Sequence, residues 1–363
     1  MLDIKQHKNT LCRLLLFLLF VAAPLFSLDA RESDSVGLDM NEIVSSHMGD
    51  AYEWPILSRA NGKGITLYLP IIVYSSERGW NFFMSSKLQD ATTYKGFKIA
   101  EQGSMYEGKL VELSGGEWKR PLLDLSFTKV ALSLVINSVI LVLIILSVSR
   151  WYRNNDSKSK APGGFIGFME MFIMMIYDDV IRDTIGVRAK KFAPYLLTVF
   201  FFIFINNMIS LVPLFPGGVG VTGNIAITLV LALCTFLVVN LFGSKHYWRD
   251  VFWPDVPLFL KVPIPLLPII EFMGVFTKPF ALMIRLFANM MAGHMAILIF
   301  VCLIFMATKM GPALQGGLTV LSVLFTLFMN LLELLVAFIQ AYVFTLLSAV
   351  FIGLAQEGRS EEQ

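Results

Sequence analysis

Residues 192 to 244 contain no charged side chain, an unbroken run of 53 positions. Roughly 20 apolar residues suffice to cross the hydrocarbon core of a bilayer, so this block must be divided into more than one span. A second block, Met310 to Gln356, carries a single charge, Glu333. The whole chain is 56% hydrophobic and 15% charged, against roughly 25% charged in soluble domains. With 29 Lys/Arg and 27 Asp/Glu the net charge is only +2, which gives no basic excess for nucleic acid. Cys12, Cys234 and Cys302 each lie in an apolar run, so neither a disulfide framework nor a paired-cysteine metal site is available. Most of this chain reads as an all-α polytopic membrane protein.

The organisation follows from where the charges return. Lys5, Lys8 and Arg13, then apolar Leu14 to Phe26 and small Ala30, read as a secretory signal over residues 1–30; a retained first membrane helix is the alternative. Residues 31–125 carry 10 Lys/Arg and 13 Asp/Glu. With strand-like alternation at Ile65–Tyr74 and Phe97–Leu113, they read as a small, β-rich extracytoplasmic domain. His47 near Asp50 and Glu53 could hold a metal, or be no more than a solvated polar surface. Val130–Ser149 is the first span, and Arg150, Trp151, Tyr152 and Arg153 mark its cytoplasmic end. Phe165–Ile185 is apolar but carries Asp178, Asp179, Arg182 and Asp183, the pattern of a helix lying along the membrane surface.

Phe192–Pro213 and Asn224–Gly243 give the second and third spans, with a Pro/Gly turn between them. The prolines of Val262–Pro268 resist helix. Residues 269–308 then form one apolar element of 40 residues, about 60 Å long if helical, twice the ~30 Å hydrocarbon thickness. After a turn from Gly311-Pro312 to Gly316-Gly317 comes a last helix, Leu318–Ala355. Both must tilt or bend, and together they read as an antiparallel hairpin. This makes about five crossings within residues 126–355, followed by a cytoplasmic tail at 356–363. With the N-terminus outside, the cytoplasmic segments hold twelve Lys/Arg and the short outer loops only Lys309, a positive-inside distribution.

Ionisable groups inside spans cost roughly 2.5–3.5 kcal/mol each on insertion scales and tend to mark pathways or pairs. Glu271, Lys278, Arg285 and Ala292 are seven apart and Asn289 joins their stripe. Arg285 can be a fixed charge within the membrane or can snorkel to the interface. His294, nine residues on, faces the opposite side of the same helix. Glu333 and Gln340, seven apart on the last helix, share a face. A hairpin that sets Arg285 beside Gln340 brings His294 near Glu333, either as a proton relay or as a structural tie between helices. Asn206, Asn207, Ser210, Asn224 and Thr228 add polar groups that serve helix packing or a water path.

The stretch Lys278-Pro-Phe-Ala-Leu-Met-Ile-Arg285-Leu-Phe-Ala-Asn289-Met-Met-Ala-Gly-His294 resembles the a-subunit family of F-type ATP synthases. Asn330-Leu-Leu-Glu333, Phe338-Ile-Gln340-Ala-Tyr342 and Asn207-Met-Ile-Ser-Leu-Val-Pro213 carry the same resemblance, over about residues 126–355. It implies the stator of a rotary proton channel in a bacterial inner membrane. Two offset half-channels would meet a ring of c subunits, with a b-subunit peripheral stalk and the other synthase subunits as partners, in a lipid bilayer and without a cofactor. It implies that Arg285 is the essential arginine between the half-channels, with Gln340 its neighbour. His294 and Glu333 would line the outer half-channel, and Glu271 would take an acidic position on the cytoplasmic side. In many members the two outer positions are Glu then His, so here the pair is exchanged. Ser210 stands where many members are acidic, and residues 31–125 exceed the common family core.

Two rival readings are a stand-alone ion channel or secondary transporter, and an intramembrane enzyme. No internal repeat of the transporter kind is visible. The four histidines, His7, His47, His246 and His294, do not form a His-Glu-x-x-His site.

Overall fold

The computed structural model describes residues 49–57, 65–91, 93–100, 104–155, 162–212, 215, 217–252, 266–307 and 312–356. The expected signal segment, His47 and the prolines 263 and 265 lie outside the described residues. The described residues are mostly helical and include five helices long and apolar enough to cross a membrane, preceded by a region of short strands. It divides into two compact units. One comprises residues 1–137, 209–220 and 294–331, the other 138–208, 221–293 and 332–363.

Among the described residues of the first unit, eight strands make three small antiparallel sheets. β1 (Glu53–Leu57) pairs with β2 (Ile65–Tyr68). β3 (Pro70–Ser75) lies between β4 (Gly79–Met84) and β8 (Leu123–Asp124). β6 (Leu110–Ser114) lies between β5 (Phe97–Ile99) and β7 (Glu117–Lys119). The expected run Ile65–Tyr74 is thus two strands that break before Pro70. Proline cannot donate to a ladder and is tolerated as a first strand residue. At that corner the Leu69 amide donates to the Tyr52 carbonyl (3.3 Å) and to Ser85 Oγ (3.0 Å). Phe97–Leu113 likewise resolves into β5 and β6. β6 and β7 are joined by Gly115-Gly116, both at positive φ (60° and 85°), as a two-residue hairpin with the native twist requires. Ile71, Val73, Phe83, Phe97 and Leu110 close around Tyr52 as the core.

This domain is tied to the first membrane helix, α1 (Lys129–Asn154). The Lys129 amide donates to the Ala51 carbonyl (2.9 Å) and the Val130 amide to Asp50 Oδ1 (3.2 Å). A carboxylate there caps orphan N–H groups and complements the helix dipole. The Trp54 ring packs on Phe215, in the turn that follows the second span, at 4.8 Å between centroids.

In the second unit, α2 (Gly164–Met174) runs on through a π-helical stretch, Met175–Arg182, to Ile185. Gly186, at φ 66°, turns the chain into α3 (Ala189–Ser210). The 165–185 segment is amphipathic as expected: Met169, Phe172, Ile176 and Val180 are buried, and Asp179, Arg182 and Asp183 are exposed. Its buried side packs on protein, the Phe172 ring sitting 6.2, 5.3 and 5.6 Å from Phe200, Phe204 and Phe338, while Phe165, Phe168, Met171 and Met174 stay exposed. Asn224 caps α4 (Ile225–Phe242) by accepting from the Ala226 amide (3.0 Å). α5 (Lys245–Phe252) follows.

The last two helices, α6 (Leu266–Ala307, 42 residues) and α7 (Pro312–Gln356, 45 residues), start earlier than the prolines and glycines suggested. Pro268 is the third residue of α6, where its missing N–H has no intrahelical acceptor to lose. Pro312 is the first residue of α7, a favoured proline position. At ~1.5 Å per residue they measure about 63 and 68 Å. In the first unit Phe300 stacks on Phe325 at 5.3 Å. In the second, Asn289 of α6 meets Gln340 of α7, which makes the pair antiparallel.

Candidate functional site: the polar faces of the helix hairpin

Arg285 is the twentieth of the 42 residues of α6, about 28 Å from the nearer end. It is exposed, and among the described residues it forms no hydrogen bond or ion pair. The stripe predicted around it is exposed throughout: Glu271, Lys278, Asn289 and Ala292. Beside the arginine is a cleft of about 320 Å³, lined by Thr277, Lys278, Ala281, Leu282, Leu347 and Phe351. The Lys278 ammonium lies 5.7 Å from the Phe351 ring centre. A smaller pocket that also reaches Lys278 and Phe351 includes Thr235, Asn240 and Tyr247.

Gln340 is 4% exposed, and its Oε1 accepts from Asn289 Nδ2 at 2.7 Å. The sequence placed Gln340 beside Arg285. The Gln340 hydrogen bond runs to Asn289, one turn further along the same stripe, and the amide pair ties the two helices together there. Gln340 Nε2 is buried without a hydrogen-bond partner among the described residues.

Glu333 is 5% exposed. Gly293 makes room for it: a methyl carbon at Gly293 would lie 3.1 Å from the Glu333 carboxyl carbon and Oε1. His294 is half-buried, and its Nε2 would be 3.4 Å from a side-chain carbon added to Gly220. Asn207 is buried and accepts from Thr222 Oγ1 at 2.5 Å. Asn206 donates back to the Phe202 carbonyl (2.8 Å), and Ser210 is buried. Asn224 and Thr228 serve the start of α4: one caps it and the other donates to the Ile225 carbonyl (3.0 Å). Glu271 is exposed, and its charge, secondary to burial, helps push the Tyr247 hydroxyl above its usual range.

The sequence reading missed a longer polar line on α7. Ser322, Thr326, Asn330, Glu333, Gln340, Thr345 and Ser348 are all buried, and steps of three, four and seven put most of them on one face. The Ser322, Thr326 and Thr345 hydroxyls have no hydrogen-bond partner among the described residues. In the second unit Thr235 Oγ1 joins this line to α3, 3.4 Å from Ser348 Oγ and 2.9 Å from the Tyr195 hydroxyl. The signal was present as periodic Ser/Thr in an apolar helix.

Five long apolar helices among the described residues, two of them carrying ionisable side chains within their length, define a multi-pass membrane protein. Residues 135–353 match the family model described as ATP synthase A chain. The chain is 42% identical to "ATP synthase subunit a" of Chloroherpeton thalassium over 238 residues, 64% of this chain and 67% of that one. With the Pelodictyon phaeoclathratiforme protein of the same name it shares 41% over 274 residues, 74% and 75% of the two chains. With that of Myxococcus xanthus it shares 36% over 239 residues, 64% and 74%. The chain belongs to the ATP synthase A chain family. Residues 43–124 match a second family, described as a domain of unknown function (DUF8433).

Proposed function

We propose that the protein is the proton-conducting stator subunit of the membrane sector of an F-type ATP synthase. In this reading it works against a ring of c subunits and is held by the b-subunit stalk and the other synthase subunits. It makes and breaks no covalent bond itself. The observation that carries the reading is Arg285, a permanent cation at the middle of an apolar helix, exposed and without an anionic partner among the described residues. A membrane-embedded carboxylate on a passing rotor supplies that partner. Arg285 favours the ionised carboxylate in front of it and keeps two aqueous half-channels from joining. Away from it, carboxyl groups in apolar surroundings hold their protons, so the ring turns through lipid only when neutral.

The outer half-channel is assigned to His294, Glu333 and Asn207 and the inner one to the cleft beside Lys278 and Arg285, with Glu271 near its mouth. Asn289 and Gln340 hold the hairpin register between the two. The distribution of Lys and Arg supports an N-terminal domain outside and a cytoplasmic C-terminus in a bacterial inner membrane. The membrane potential supplies about 2.3 kcal/mol per charge per 100 mV, which protons moving between offset entrances convert to torque.

Arg285→Ala tests the assignment. The complex should still assemble with its c ring, while proton-driven ATP synthesis falls to background. Near-normal synthesis in the assembled variant refutes it. A chain that conducts ions when purified without a ring would favour a stand-alone channel.

A further inference from the structure

We propose that the outward face of the β4-β3-β8 sheet is a membrane-contact surface, seated at the headgroup–acyl boundary of the leaflet in which α1 begins. Strands alternate their side chains between faces. The inward face of this sheet supplies Ile71, Val73 and Phe83 to the core. Its outward face is apolar where a water-facing sheet would be polar: Trp80 (62% exposed), Phe82 (67% exposed) and Met84 on β4. Register aligns these with Tyr74, Ile72 and Pro70. On the far side β8 adds Leu123, and the chain continues in ladder pairing, the Leu125 amide donating to the Ile72 carbonyl (2.9 Å) and the Phe127 amide to the Pro70 carbonyl (3.1 Å). Leu123, Leu125 and Phe127 are exposed. Contiguous exposed apolar surface of this kind marks a contact with membrane or protein.

Lipid is favoured by where the face ends. Phe127 is two residues before Lys129, the first residue of a 26-residue apolar helix. The sheet is therefore continuous with an element that carries the exposed apolar Val135 and is long and apolar enough to cross a membrane. Asp50, Ala51 and Trp54 hold the domain against the start of α1 and against Phe215. Both points are on one side of the bilayer, since the chain crosses once in α1 and once in α3 between them. The domain is thus held down at the surface. Trp80 and Tyr74, in ring contact at 5.2 Å, are residue types that favour the interfacial zone. The inference requires α1 to span a bilayer and does not depend on which side the domain occupies or on proton conduction.

The test uses the intact synthase in liposomes, with Cys12, Cys234 and Cys302 replaced by Ala. A spin label is placed at Phe82→Cys, and a control label at Glu107→Cys. The label at 82 should be several-fold more accessible to oxygen than to a water-soluble nickel chelate, relative to the label at 107. Equal behaviour at the two sites, showing a water-exposed face, overturns the proposal. So does protection of site 82 from both agents, which assigns the face to another protein. A second measurement needs no label: bromine-bearing phospholipid should quench the tryptophan fluorescence of the native complex more than that of Trp80→Phe. Equal quenching overturns the proposal as well.

Discussion

An arginine side chain at the middle of a spanning helix costs roughly 2.5–3.5 kcal/mol on insertion scales, and nothing among the described residues offsets that cost for Arg285. Gly293 shows the opposite economy, since the absence of a side chain admits a buried carboxyl group. Gly293→Val would drive carbon into atoms already 3.1 Å from where its Cβ would stand. Overpacking of this kind costs about 1–3 kcal/mol. The expected outcome is a lowered unfolding temperature of the subunit and slowed proton flux in the assembled complex, with Gly293→Ala intermediate. Unchanged flux in Gly293→Val would detach Glu333 from the pathway. The amide pair Asn289–Gln340 was legible only in part. Helical periodicity placed both residues near Arg285, but hydrogen-bond choice depends on angstrom-scale register that spacing alone does not fix.

At the scale of elements, the α6–α7 hairpin presents two chemically different surfaces: an exposed stripe with Arg285, and a buried polar line on α7. Replacing His294 and Glu333 together by Leu should slow proton entry from the outer side while ring binding persists. This would be measured as passive proton uptake by vesicles carrying the membrane sector, and unchanged uptake would make the two residues structural. The spans were readable because a long uncharged run has few physical options. The amphipathic 165–185 segment was equally readable, but its protein neighbours were not: hydrophobicity does not say that Phe172 meets Phe200, Phe204 and Phe338. The helix starts at Leu266 and Pro312 were read too late because proline was taken as a breaker, whereas in a first turn it costs no hydrogen bond.

Over the whole molecule, the strand-rich domain rests on a polar contact inside its core. The Tyr52 hydroxyl donates to Asp124 Oδ2 at 2.7 Å and accepts from the Leu110 amide at 3.3 Å. Burial first, and the Asp124 carboxylate next, push its pKa well above the ordinary value of 10.0. A group whose folded pKa is raised contributes fully below its unfolded value and loses that contribution as pH climbs through the folded one. The domain should therefore weaken on the alkaline side of about pH 10, and Tyr52→Phe should flatten that dependence. The same substitution leaves the buried Leu110 amide unmatched, a loss of about 1–3 kcal/mol at neutral pH. Hydrogen exchange of the Leu110 amide in the whole protein reads both effects. The β character of this region was visible in its alternation, but its attachment was not, because Asp50 and Val130 are 80 positions apart. The amides of residues 125, 127 and 129 are bonded to the domain one after another, so the junction has no slack and behaves as a keyed shaft. Adding or removing one residue there would turn the start of the first span by about 100° against the strands that hold it.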